Sequence, residues 1–148
     1  MNMNNSYLYK LWLLARIWLA AVMINAVLGT FCLSDYPFNR YTPTVLLTGL
    51  VWGAPFSLPV PIIIMIVMNR CLKAGMNGFQ LLGRVFITGI LMSIIMFLIF
   101  SSIIGLNGEK EMVALLVTAV LSGIIAIAIH YRPLLKLGNN STSILERN

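Results

Sequence analysis

The chain has 148 residues, of which 59% are hydrophobic and 9% are charged, with 10 Lys and Arg against 4 Asp and Glu. A soluble domain carries about 25% charged residues, so this composition excludes a water-soluble globular enzyme, and its high hydrophobicity excludes intrinsic disorder. A secreted disulfide scaffold is excluded as well, because Cys32 and Cys71 are the only cysteines. The composition therefore predicts an integral membrane protein.

Charged residues fall in clusters, and four stretches of 18 or more residues between the clusters carry no charge. About 20 apolar residues cross the hydrocarbon core as a helix, which satisfies its own backbone hydrogen bonds there. We therefore predict an all-α membrane protein, a bundle of four transmembrane helices at about 8–33, 44–68, 81–104 and 112–131. The bundle is predicted to be one domain over residues 1–137, followed by a short, polar and mobile cytoplasmic tail over residues 138–148.

The first predicted span carries one strongly polar side chain away from its ends, that of Asn25. The apolar stretch is longer than the central region of a signal peptide, and no A-x-A-like cleavage site follows it. We therefore expect this segment to remain in the membrane, with Asn25 as a candidate for a polar pathway.

The second predicted span contains Pro55, Pro59 and Pro61 near its middle. Each proline removes a backbone donor and disfavours helical geometry in the residue before it, so three of them predict a break around 54–61. Pro61 is suited to the first turn of a new helix, and Ser57 to the role of a cap or internal donor.

Two interpretations of this break stay open. A broken helix persists at membrane depth only where protein or a water-filled cavity surrounds it, and such breaks bind ions or substrates in transporters. The break is therefore either a structural kink or re-entrant turn, or one wall of a functional cavity. An alternative trace makes residues 44–54 a shallow half-helix and residues 59–75 the true span.

Small residues spaced by four recur on the later spans, and such spacing lets two membrane helices approach closely. The rows are Gly49 and Gly53 on the second span, Gly89 and Ser93 on the third, and Ala114, Thr118, Ser122 and Ala126 on the fourth. Either these rows seal a four-helix bundle, or one row, on the fourth span, forms an interface between subunits.

The basic residues predict that both termini lie in the cytoplasm. With this orientation the outer side holds only Arg40 and Lys110, and the positive-inside pattern over short loops is strong. The cytoplasmic edge then gathers seven side chains that are cationic or can become so: Arg16, Arg70, Lys73, Arg84, His130, Arg132 and Lys136. Glu146 is the only acid on that side, so these residues are expected to contact lipid phosphate, backbone carbonyls or an anionic partner.

The residues needed for catalysis are missing from the sequence. His130 is the only histidine, and a Ser/His/Asp triad or a zinc site of the usual kind cannot be assembled from it. We therefore expect a non-catalytic protein without a metal or cofactor.

Two functions of different classes stay open. The first is an accessory or effector subunit, of a defence, toxin-immunity or assembly system, that forms homo-oligomers or docks to a protein through its basic cytoplasmic face. The second is a small channel or transporter with its pathway at the broken second helix. The expected surroundings are a bilayer with anionic headgroups in a bacterial-type inner membrane, and no direct binding of nucleic acid is expected.

Overall fold

The computed structural model describes residues 3–33, 42–104 and 109–145. These residues form helices and no strand, in the order α1 (Met3–Leu33), α2 (Thr42–Ser57), α3 (Pro59–Lys73), α4 (Gly78–Ile104), α5 (Glu109–Ile129) and α6 (Tyr131–Leu145). Helices α1, α4 and α5 are each long and apolar enough to cross a membrane, and α2 with α3 makes a fourth candidate if the bent pair is one span. The prediction of an all-helical chain with several apolar spans is confirmed for the described residues.

The surface of the helices is suited to lipid. Large apolar side chains such as Leu19 on α1, Leu91 on α4 and Ile125 on α5 are exposed. A soluble monomer rarely exposes apolar patches of such extent, because water would have to cover them. The structure is therefore compatible with a multi-pass membrane protein whose outer surface is covered by acyl chains.

The predicted proline break is present between α2 and α3. Proline has no N–H, and its ring crowds the carbonyl four residues earlier. Pro59 therefore cannot bond to the Pro55 carbonyl, which accepts a hydrogen bond from the Leu58 N–H at 3.2 Å instead. The two helices bend by 40° at this point, and α3 begins at Pro59, with Pro61 in the same first turn.

Helix α1 runs antiparallel to the α2–α3 pair. The Lys10 Nζ donates to Asn69 Oδ1 at 3.3 Å near one end, and the Trp18 indole donates to Ser57 at 2.9 Å farther along. Gly49 then lies against Ala26, where a Cβ on the glycine would be 3.8 Å from the alanine. The partner's residue number falls as the residue number rises along α1, so the two run antiparallel. The partners belong to both α2 and α3, so α1 contacts both halves of the broken helix.

Helices α4 and α5 pair in the same antiparallel way. A Cβ on Gly89 would lie 3.2 Å from Ile127, and a Cβ on Gly123 would lie 3.6 Å from the Ser93 hydroxyl. The small residues of both helices thus let the two backbones approach, as expected for packing in a membrane.

The connection between α3 and α4 is a tight turn. Gly75 has φ 69°, a left-handed conformation that ends α3, and the Met76 N–H donates to the Cys71 carbonyl at 3.1 Å. Asn77 and Gln80 then cap the start of α4 reciprocally, each side chain accepting from the other residue's backbone N–H. This turn fixes α3 and α4 as antiparallel neighbours.

Helix α6 is an element that the apolar pattern does not predict. Residues 138–148 are predicted to form a polar tail, whereas in the structure a helix continues to Leu145. Helix α5 ends at Ile129, the residue whose carbonyl the ring of Pro133 would crowd in a continuous helix.

Helix α6 packs against the first turn of α4. Leu134 and Gly138, one turn apart, are buried, whereas Lys136 between them is exposed. A Cβ on Gly138 would lie 2.6 Å from the Gly78 Cα, and the Asn139 side chain accepts from the Gly78 N–H at 2.9 Å. Only glycines allow this backbone-to-backbone contact.

The most deeply buried residues gather at the end of the bundle that carries most of the basic residues. They come from the first half of α1, the second half of α3, the start of α4, the end of α5 and α6, and include Leu14, Met68, Leu81, Val85, Ala126 and Leu134. Toward the other end the packing opens into a cavity beside the proline break.

Candidate functional site

A cavity of about 200 Å³ lies between α1, α2, α3, α4 and α5, beside the break in the second span. Its wall is mainly apolar and aromatic, with Trp18, Phe56, Phe97 and Phe100 among its residues. The rings of Phe56 and Phe100 meet edge to face, with centroids 4.9 Å apart. The described residues that line it include no Asp, Glu, Lys, Arg or His, so the cavity is suited to an uncharged occupant.

The cavity brings together several residues that stand out in the sequence for separate reasons. Those from the predicted pathway are Asn25, Ser57 and Pro61, and those from the small-residue rows are Gly49, Gly53, Gly89, Ser93 and Ser122. The lining does not include Pro55 or Pro59, of which Pro55 is exposed. These two prolines therefore contribute to the site through the bend and not through contact.

The break is joined to α1 by a tryptophan. The Trp18 indole N–H donates to Ser57 Oγ at 2.9 Å, and the Ser57 hydroxyl donates to the Ala54 carbonyl at 3.0 Å. Ser57 therefore uses its proton within α2 and accepts the indole proton across the helix interface. This pair connects the last turn of α2 to the middle of α1.

Some polar side chains that line the cavity make hydrogen bonds within the protein, and others do not. The Ser122 hydroxyl donates to the Ala119 carbonyl at 2.8 Å within its own helix. Within the described part of the chain, neither the Asn25 amide nor the Ser93 hydroxyl makes a hydrogen bond. Among the polar side chains that line the cavity, those of Asn25 and Ser93 thus keep hydrogen-bonding capacity that the described chain does not use.

The remaining small residues pack inside the chain. Thr118 and Ala126 are buried, and Ala114 is half-buried. Thr118 also donates to the Leu115 carbonyl at 2.8 Å. In this conformation the row on α5 faces the other helices of the same chain, so most of it is not available to a second subunit.

Five of the predicted basic residues belong to three different helices. Arg70 and Lys73 end α3, Arg84 lies about two turns into α4, and Arg132 and Lys136 belong to α6. All five side chains are exposed at the same end of the bundle. This end is therefore a broad cationic surface.

Two other members of the predicted set are engaged locally. The guanidinium of Arg16 stacks on Trp12 at 3.5 Å from the ring centroid, one turn away on α1. His130 is half-buried, with Nδ1 2.9 Å from the Ala126 carbonyl.

The Tyr131 hydroxyl accepts a hydrogen bond from Arg132 at 3.0 Å and raises the pKa of that guanidinium, which stays charged.

The described residues contain no group of three or more His, Cys, Asp and Glu that could hold a metal ion. Comparison of the chain with protein-family models, with curated proteins and with solved structures gives no match.

Sequence reasoning missed Trp18, which lines the cavity and donates a hydrogen bond to Ser57 beside the break. The available signal was an indole in the middle of an apolar span, because a buried indole N–H normally requires an acceptor. It also missed Phe56 and Phe100, since a single phenylalanine in a membrane span carries no specific signal.

We expect the Trp18–Ser57 hydrogen bond to stabilise the bundle by about 1 kcal/mol, in the range of side-chain hydrogen bonds between membrane helices. A double-mutant cycle with Trp18→Phe and Ser57→Ala, measured by unfolding in mixed detergent micelles, should give a coupling energy of this size. A parallel cycle with Trp12→Phe and Ser57→Ala should give none, because Trp12 is exposed and contacts Arg16. Additive effects in the first cycle would contradict the assignment.

Proposed function

We propose that this protein is a non-catalytic, multi-pass membrane protein of accessory type, which docks to an acidic protein surface through its basic cytoplasmic end. The observation that carries this proposal is the broad cationic surface formed by Arg70, Lys73, Arg84, Arg132 and Lys136, all of them exposed. The orientation is inferred from the positive-inside pattern.

The acids of the chain support docking to a partner outside it. Glu109 and Glu111 lie at the start of α5. The five exposed cations lie at the opposite end of the bundle, on α3, α4 and α6. Asp35 and Glu146 lie outside the described residues. Several like charges held at one end by separate helices attract an acidic surface and orient it as it approaches.

The test removes three of the cations. In the variant Arg84→Gln, Arg132→Gln and Lys136→Gln, we expect the chemically cross-linked partner to be lost from detergent extracts of native membranes. A matched control is Lys110→Gln, which removes an exposed charge at the opposite end and should leave recovery unchanged. Full recovery with the triple variant would contradict the proposal, as would loss with both variants.

A second candidate function is favoured by the cavity. We infer that the break and the cavity are suited to a channel or transporter for an uncharged solute, because no ionisable side chain is among the described residues that line the wall. Residues of both α2 and α3 line this space beside the bend. If this function holds, Pro55→Ala or Pro59→Ala should change solute flux while membrane insertion is retained, and unchanged flux would contradict it.

A further inference from the structure

We propose that the cavity beside the break is a binding site for a neutral ring compound that carries a hydroxyl group, of the phenol class. This site is separate from the basic end, so the proposal adds ligand binding to the proposed docking of a partner protein. It uses the same cavity as the second candidate function but requires no passage across the membrane, so the two can fail independently.

The hydrogen-bonding groups of the cavity favour a hydroxyl. Ser57 and Ser122 already donate their protons to their own helices, so neither can donate to a ligand. Asn25 and Ser93 are uncommitted within the described chain, and each can both donate and accept. A hydroxyl has the same double capacity and can pair with either group, whereas an apolar ligand would offer neither a partner.

The shape of the wall favours a ring. Phe56 and Phe100 form an edge-to-face pair at the cavity, and Trp18 and Phe97 also line it. Aromatic side chains pack favourably on a further ring through offset or edge-to-face contacts. A cavity of about 150 Å³ is known to hold benzene, so the present volume of about 200 Å³ is enough for a substituted single ring.

Charged compounds are disfavoured at this position. Moving an ionised group from water into an apolar space is costly unless a partner of opposite charge is present, and the described lining contains none. The ligand is therefore bound in its neutral form.

Trp18 provides a direct reporter, because it lines the cavity and the other two tryptophans are exposed. The full chain with Trp12→Phe and Trp52→Phe, reconstituted in lipid nanodiscs, is titrated with 4-bromophenol or with bromobenzene as heavy-atom quenchers. We expect saturable quenching of Trp18 by 4-bromophenol with at least about tenfold higher affinity than by bromobenzene, which lacks the hydroxyl.

Substitutions at Asn25 and Ser93 test whether these residues recognise the hydroxyl group, and a substitution at Gly53 tests whether the cavity is the binding site. Asn25→Leu and Ser93→Ala should each reduce the preference for 4-bromophenol over bromobenzene. Gly53→Leu, which adds a large side chain at the cavity wall, should leave only the linear quenching caused by partition into lipid. Retained preference in both polar variants would overturn the assignment.

The remaining outcomes separate this inference from the second candidate function. Equal saturable affinity for the two probes would overturn the inference while leaving an apolar cavity through which a solute could pass. Failure of both probes to give saturable quenching would overturn it whatever the flux measurement shows.

Discussion

If the cavity is the pathway of the second candidate function, passage of a neutral solute is expected to fall to the level of protein-free liposomes when Gly53 is replaced by leucine. Gly53 lines the cavity, and a Cβ at this position would meet nothing within 4 Å. A Cβ can therefore be added without displacing a neighbour, and we expect the rest of a leucine side chain to take up part of the cavity. Since leucine is about 1 kcal/mol more favourable than glycine in a helix, the variant should fold at least as well as the parent.

Glycerol entry into proteoliposomes, followed by light scattering, measures this effect. The matched control is Gly83→Leu, because Gly83 lies on α4 outside the cavity and also has open space for a Cβ. Parent-level flux in Gly53→Leu would show that the cavity is not on the pathway. A parent protein with no flux above protein-free liposomes would remove the channel function altogether.

Replacing Gly138 by leucine is expected to detach α6 from the rest of the bundle. The new Cβ would lie 2.6 Å from Gly78 Cα and 2.8 Å from Gly78 N. Both are backbone atoms of the first turn of α4, so they cannot move aside as a flexible side chain would. Overpacking of this kind costs about 1 to 3 kcal/mol or more, and separation of the helices also breaks the bond from Gly78 N–H to Asn139.

Trypsin cleavage at Lys136 measures the detachment, because this lysine is exposed on α6 but lies within a docked helix. We expect cleavage at this site to be faster in Gly138→Leu than in the parent, and the parent rate to be retained in Gly83→Leu. An unchanged rate in Gly138→Leu would mean that the α4–α6 contact does not hold the helix in place.

The apolar spans could be predicted because the membrane imposes a simple rule on sequence. Long stretches without charge, such as residues 85–108, must be helical if they lie in hydrocarbon, and α4 covers most of that stretch. The break was predictable for an equally local reason, because each proline removes a specific backbone bond. The count of four spans and the cytoplasmic placement of the termini stay predictions.

Helix α6 could not be predicted from hydropathy. Its second half is polar, and its docking depends on Gly138 meeting Gly78 sixty residues earlier in the chain, a contact between distant positions that no local pattern encodes. The cap formed by Asn77 and Gln80 did have a local signal, a polar residue followed three positions later by glutamine.

The grouping of residues around the cavity could not be predicted from local sequence patterns either. Asn25, Ser93 and Gly53 were each singled out from the sequence, but for different reasons and as parts of different elements. Their common position follows from the antiparallel pairing of α1 with α2 and of α4 with α5. The Trp18–Ser57 bond, which connects two of these elements, depends on a helix register that periodicity alone does not define.

Cysteine labelling tests most directly the claim that the basic end lies in the cytoplasm. In a background with Cys32→Ser and Cys71→Ala, single cysteines are placed by Ala74→Cys, in the exposed turn after α3, or by Lys110→Cys, at the exposed start of α5. We predict that a membrane-impermeant maleimide labels Lys110→Cys in intact cells and labels Ala74→Cys only after the membrane is permeabilised. Labelling of Ala74→Cys in intact cells would contradict the account.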